Sequence, residues 1–540
     1  MVKTLLKVLE RSTTTFALLF LLFVQRSLLA ETFPLWGELE PGPYTVGFKV
    51  VSRYDYSRTY KPKYDYEGRL QSGEPSRPIQ ISIWYPAKKT GDSVQMLYEE
   101  YVYLIVKEES FGELTDEEKL QSKKRFAQFA QGAPEDKLQE LFKTKTAAFK
   151  DASPQAGLFP PILFAQAYNL PPLTNFIMCE YLASHGYIVV TSPPLGMTSR
   201  QPSADLKGVE TQLRDIEYLS GFVHDFPNVD QKKLGAIGYS TGTLALALLA
   251  IRNTNLDALI SLDGAIAFNF GYSILYQSIY YDPSKVHIPI MHMTPREQNQ
   301  NTDLSFFESL KYSALHILKF KGLRHYDFSS FGMISNTMVP NFATFLNDIF
   351  GRGPSSADTK RGYEVICRYA LNFLNAYMKD NQKSWTFLKR QPEDNGVPKG
   401  FLIVESKTGF KAPPTEEQFV DIINKKGIQN AFQIYNAVKK NAPDYVVFKE
   451  ATINNLGYQF LGSQRIKEAI EIFKLNVKAY PESANVYDSL AEAYMLEGNK
   501  DLAIQNYEKT LALLPNDMNI SEEFKERLKK GAQKNLEKLK

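Results

Sequence analysis

Gly238-Tyr239-Ser240-Thr241-Gly242 lies between the apolar run at residues 234–239 (LGAIGY) and the apolar stretch at 243–251. A serine hydroxyl becomes a strong nucleophile only when a tight turn presents it, and flanking glycines remove the Cβ atoms that such a turn would bring into collision. A helix beginning just behind the turn directs backbone N–H groups toward developing negative charge. The pattern therefore calls for a base, and there are six histidines to sort. His185 precedes Gly186, His224 sits in a polar stretch ahead of the serine, and His287, His292 and His316 lie in or beside apolar runs, where a structural role is the simpler reading. His325 follows the last apolar run, residues 315–320 (LHILKF), in a polar segment downstream of the serine, and is the expected general base. A carboxylate must orient the imidazole. Asp263 directly follows the run at 258–262 (ALISL), while Glu297 and Asp303 follow the next one and are its rivals. Asp263-Gly264 is also a favoured turn dipeptide.

Short apolar runs that alternate with helix-length segments must position these residues. Residues 79–85 (IQISIWY), 161–165 (PILFA), 187–191 (YIVVT), 234–239, 258–262, 288–293 (IPIMHM) and 315–320 read as strands. Continuous apolar strands separated by helices predict a mostly parallel sheet covered on both faces, with the functional residues at the carboxyl ends of its strands. Residues 91–157 are charged, with Leu, Phe and Ala at helical spacing in EDKLQELFKTKTAAF. They are expected to form a helical insertion that caps the strand ends and restricts the size of an acyl group.

Six segments in order, ISIWYPA (81–87), PPILFAQAYN (160–169), EYLASHGYIVV (180–190), IGYSTG (237–242), ISLDGA (260–265) and GLRHYDFSSF (322–331), resemble the α/β-hydrolase superfamily. Within it they are most similar to esterases of the platelet-activating-factor acetylhydrolase and dienelactone-hydrolase type. The resemblance covers roughly residues 45–380. It implies an α/β-hydrolase sheet and a Ser240–Asp263–His325 triad in the chain order Ser, Asp, His, with Asp263 placed like the acid of the acetylhydrolase type. It also implies cleavage of a carboxylic ester through an acyl-enzyme, without metal or cofactor. One oxyanion donor should be the N–H of Thr241, next to the nucleophile. The other should be the N–H of Tyr168, although Gln166-Ala167 replaces the family's His-Gly pair. The Tyr168 side chain is a second candidate, as a wall of the acyl pocket.

The two ends of the chain differ from this middle. Lys3, Lys7 and Arg11 precede an apolar run at 16–24, and Ser27-Leu28-Leu29-Ala30 follows, so residues 1–30 are expected to be a signal peptide cut near Ala30 and the protein to be exported, periplasmic or extracellular. Nine apolar residues fall short of the roughly 20 needed to cross a bilayer, so no transmembrane segment is expected in the mature chain. Of the 63 basic and 60 acidic residues, four basic and one acidic lie in that leader. The remainder is neutral and gives no basis for binding nucleic acid. Cys179 and Cys367 are too few for a disulfide framework or a cysteine zinc site, and either pair or stay as buried thiols.

After a hydrolase region at 31–400, residues 415–540 repeat at an interval of 34: Leu456 with Leu490, Gly457 with Ala491, Phe460 with Tyr494, Ala469 with Ala503, Phe473 with Tyr507 and Pro481 with Pro515. This resembles the tetratricopeptide repeat, with Ala431, Tyr435 and Pro443 as a degenerate third copy and residues 522–540 as a capping helix. The leading expectation is an exported serine esterase acting on a small or lipid-like ester, with a protein partner for the repeats or docking of the repeats on the hydrolase region as the options for the second module. The alternative is an inactive hydrolase fold serving as an interaction platform, against which the intact Ser, Asp, His order speaks.

Overall fold

The structure is a computed structural model that describes residues 33–540 except 62, 65–66, 71–73, 110, 131–132, 169, 254, 298–300, 338–356 and 519. The leader expected at 1–30 lies outside the described residues. The chain divides into two compact units, Met1–Phe410 and Lys411–Lys540.

Among the described residues the first unit is built on eleven strands: β1 Thr45–Thr59, β2 Ser76–Ala87, β3 Gln95–Leu97, β4 Lys145–Lys150, β5 Pro161–Ala165, β6 Ile188–Thr191, β7 Gly235–Tyr239, β8 Ala258–Leu262, β9 Ile290–Pro295, β10 Leu315–Phe320 and β11 Leu402–Lys407. Their order across the sheet is β11-β10-β9-β8-β7-β5-β6-β2-β1-β4-β3. The central strands β6, β5, β7, β8, β9 and β10 run parallel, whereas β2 and β11 join them antiparallel. Strands β5, β7 and β8 are buried along their whole length, as uniformly apolar runs require when helices cover both faces. One face packs against α3 Phe176–Ser184 and α7 Ala357–Lys379, the other against α4 Leu206–Val223, α5 Gly242–Arg252 and α6 Asn269–Tyr276. The fold class is therefore an α/β-hydrolase-type sheet. Among the described residues no helix is long and apolar enough to cross a membrane.

The insertion departs from the helical expectation. It contains α1 Asp116–Phe129 and α2 Glu135–Phe142, but also β3 and β4, which extend the sheet at the edge opposite β11. β4 runs parallel to β1 over Val46–Phe48, so the second half of EDKLQELFKTKTAAF is strand rather than helix. The short helix Tyr98–Val102 and α1 are wedged into the core by aromatic contacts: Tyr98 meets Phe126 and Phe176, and Phe126 meets Phe331.

At the centre of that wedge, Glu180 on α3 is fully buried and accepts from Trp36 Nε1 at 2.9 Å, Tyr101 OH at 2.8 Å and the Ala147 N–H at 3.3 Å. Tyr101 OH in turn accepts from Trp84 Nε1 at 2.7 Å. One carboxyl thus ties the N-terminal segment, the insertion and β4 to α3. Burial pushes it up from 4.5 to about 7 despite these donors. The folded chain accordingly holds a proton that the unfolded chain releases, so stability is full below pH 4.5 and falls as pH rises from 4.5 through about 7. At about 1.4 kcal/mol per unit of displacement this amounts to something on the order of 3 kcal/mol. Glu180→Gln should flatten part of the decline in melting temperature between pH 5 and 7.5, and an unchanged slope would refute the assignment.

The second unit stacks helix pairs: α8 Glu416–Lys426 with α9 Ile428–Asn441, α10 Glu450–Gly462 with α11 Ile466–Ala479, and α12 Ala484–Glu497 with α13 Lys500–Leu513, followed by α14 Glu522–Leu539. Ala431, Tyr435, Ala469, Phe473, Ala503 and Tyr507 are all buried, as the repeat register requires. At Gly457 a Cβ would stand 2.4 Å from the ring of Phe473, which is how α10 and α11 approach so closely. Gly457→Ala gains about 1 kcal/mol of helix propensity but overpacks a ring that is fully buried, at a cost of about 1–3 kcal/mol. A net loss of about 1 kcal/mol in the unfolding of this unit is expected by urea titration.

Candidate active site

The turn between β7 and α5 puts Ser240 at φ +53°, in the left-handed region. Two close approaches force this. A Cβ on Gly238 would lie 2.8 Å from Thr243 Cγ2, and one on Gly242 would lie 2.4 Å from the Ala165 carbonyl at the end of β5. Small residues thus let α5 start directly against β7 and β5, and the serine is lifted off the sheet between them. Its N–H donates to the Leu262 carbonyl at 3.1 Å, while its own carbonyl accepts from the Ala265 N–H at 2.9 Å and from Thr243 Oγ1 at 2.6 Å. Strained backbone is held where surrounding contacts over-determine it, which is the situation here.

Asp263 directly follows β8, 2 % exposed and at φ +39°, with its N–H donating to the Met293 carbonyl at 2.7 Å. His325 opens a single 3-10 turn, His325–Phe328, after β10. The three side chains form one chain of contacts. His325 Nε2 is 2.9 Å from Ser240 Oγ, and His325 Nδ1 is 2.6 Å from Asp263 Oδ2. Thr294 Oγ1 donates to the other carboxylate oxygen, Asp263 Oδ1, at 3.2 Å. Tyr239 stacks on the imidazole with ring centroids 5.1 Å apart, and its hydroxyl donates to the His325 carbonyl at 3.1 Å. The turn is braced from below by Asp327, whose Oδ2 accepts from the Arg324 N–H at 2.7 Å, and burial pushes this carboxyl up to about 6.

The rival acids sit elsewhere. Glu297 is exposed and accepts from the Gly322 N–H at 3.2 Å, and Asp303 accepts from the Ser305 N–H at 2.9 Å. The strand-end turn weighed as a source of the acid instead supplies Thr294, which steadies Asp263. The other histidines are engaged locally. His292 is buried against Ser261 Oγ at 2.9 Å, and His316 lies between Ser406 Oγ and Tyr377 OH, with burial lowering both to about 4. His185 Nδ1 lies 2.8 Å from the Tyr181 carbonyl and His287 Nε2 2.9 Å from the Ser284 carbonyl. Cys179 and Cys367 are buried free thiols.

The loop after β5 differs from the sequence expectation. Tyr168 N–H donates to Thr241 Oγ1 at 2.8 Å, so that amide already has a partner. The Tyr168 ring packs partly buried against the core cluster that contains α5. The Gln166 side chain spans to Thr191 Oγ1 at 3.4 Å, and its carbonyl accepts from Gln212 Nε2 at 2.7 Å. Sequence reasoning missed Tyr239 and Thr294, although both flank residues it had singled out.

With this geometry in hand, comparison with known proteins adds the following. No family model matches the chain. Over 120 residues, 22% of this chain, it is 29% identical to DnaJ homolog subfamily C member 3 of Gallus gallus, and it spans about a quarter (24%) of that relative's length. Among solved structures it is similar to a ferulic acid esterase from Streptomyces cinnamoneus, at 15% identity and a TM-score of 0.47, over 67% of this chain and 96% of that one.

Proposed function

We propose that the first unit is a serine hydrolase that cleaves carboxylic esters. The observation that carries this reading is the continuous contact from Ser240 Oγ through His325 to Asp263, at 2.9 and 2.6 Å, on a serine held at φ +53°. In the proposed reaction Ser240 Oγ bonds to the ester carbonyl carbon and gives its proton to His325 Nε2. The buried Asp263 carboxylate holds Nδ1–H and stabilises the imidazolium. Collapse of the tetrahedral intermediate expels the alcohol, which takes the proton from His325, and water then repeats the sequence to release the acid. The chemistry needs no metal or cofactor. Acetylhydrolase-type and dienelactone-hydrolase-type esterases are the proposed nearest functional class, and the substrate is a small or lipid-like ester.

Export with cleavage near Ala30, and a protein partner for the stacked helix pairs of the second unit, belong to the same proposal. Residue spacing supports the first. The repeat architecture of α8 to α14 supports the second. The test of the central reading is covalent labelling of the full chain by a fluorophosphonate, followed by peptide mapping. The adduct is expected on Ser240, and an unlabelled chain or an adduct on another serine would overturn it.

A further inference from the structure

The environment of Thr241, the residue after the nucleophile, does not match an oxyanion hole made of two backbone amides. Thr241 occupies the N-cap of α5, where a threonine hydroxyl ordinarily accepts from the first turn of the helix, yet its side chain makes no such bond. Its Oγ1 instead accepts from the N–H of Tyr168, across the strand ends, at 2.8 Å. That amide is not free to turn. The loop before it is pinned by Gln212 Nε2 on the Gln166 carbonyl and by Gly242 packed against the Ala165 and Gln166 carbonyls, and the Tyr168 ring beyond it is anchored on the core. A hydroxyl that accepts one hydrogen bond still has a proton to place. Among the described residues no acceptor holds it, and Thr241 is only partly buried, beside Ser240.

We propose that Thr241 fills two places in the oxyanion hole. Its backbone N–H is one donor and its side-chain hydroxyl is the second, while Tyr168 N–H acts behind the hydroxyl as a positioning group. This rests on the esterase reading above and deepens it. When Ser240 Oγ bonds to the carbonyl carbon, the carbonyl π pair moves onto oxygen and the serine proton moves to His325 Nε2. The Thr241 proton stays on Oγ1 and is shared with the new oxyanion, and the Tyr168 N–H on Oγ1 makes that O–H a better donor. The Gln166-Ala167 loop then needs no glycine to bring an amide up to the substrate, because a side chain from the other side of the site reaches it.

The test compares Thr241→Val, close in shape but without the hydroxyl, with Thr241→Ser, which keeps it, using a short p-nitrophenyl ester and the full chain. Thr241→Val should lower kcat by about 10²–10³-fold with KM little changed, the mark of a contact made in the transition state, and Thr241→Ser should stay within a few fold of the parent. If Thr241→Val turns over as fast as the parent, or faster, Tyr168 N–H is the true donor and the hydroxyl merely occupies it. If the Ser variant is as slow as the Val variant, restoring the hydroxyl does not restore turnover and the proposal also falls. Should the Val variant not fold by thermal unfolding, Thr241→Ala is read in its place. A parent chain that fails to label with fluorophosphonate would instead overturn the triad, so the two readings fail separately.

Discussion

Replacing Ser240 by alanine is expected to lower ester turnover by about 10⁶-fold, to the level of whatever the remaining hole and binding surface achieve alone. The expected effect on folding is small and of either sign. The hydroxyl makes one contact, to His325 Nε2, and is partly exposed, so its loss leaves no buried donor unmet. Alanine at φ +53° is strained much as serine is, so the strain is largely unchanged by the substitution. Coincident melting curves with turnover of a p-nitrophenyl ester reduced to background are the anticipated pair of results. Retained turnover would remove Ser240 from the chemistry, and lost turnover with a collapsed melting curve would leave the serine's role undecided between chemistry and fold, to be separated by Ser240→Cys labelled with a thiol reagent.

Asp263→Asn should lower kcat by about 10⁴-fold, because an amide in place of the carboxylate turns its N–H toward His325 Nδ1 and favours the tautomer in which Nε2 carries the proton and cannot accept from serine. Two neighbours sharpen the effect. Thr294 Oγ1 donates to Asp263 Oδ1, and Tyr239 packs flat on the imidazole, so neither ring nor carboxyl can swing to a compensating geometry. Thr294→Val should therefore show a reduced version of the same defect, with kcat lowered and KM unchanged. A near-normal Asp263→Asn would exclude Asp263 as the orienting acid.

Much of this was readable from residue order. Strands β5, β8 and β10 coincide with the runs PILFA, ALISL and LHILKF, because apolar residues dominate each of them and β5 and β8 are buried along their whole length. The turn at Ser240 was legible for a similar reason, since only glycine fits where α5 meets β7 and β5. The edges were harder. In the insertion, Leu138, Phe142 and Phe149 keep helix-compatible intervals of four and seven, although the chain changes from helix to strand at Thr144. Periodicity does not register a switch whose buried positions happen to stay in phase. β11 was also invisible, for half of it faces outward and its sequence LIVESK has only three apolar residues. The contact that the Tyr168 amide makes was not legible, because its partner is a side chain 73 residues away, and no local pattern encodes which acceptor a backbone N–H will meet.

The place of β11 in the chain bears on how the molecule is made. β10, which leads into His325, pairs with β9 on one side and with β11 on the other, yet β11 follows only after α7 and the residues around it. During synthesis the backbone of β10 facing away from β9 must therefore stay unpaired until Leu402–Lys407 has left the ribosome, with an open strand edge as a template for pairing with other chains throughout that interval. A translational pause placed before β11 would prolong this exposure, whereas one placed after Phe410 would let the sheet close before the helical repeats begin to fold.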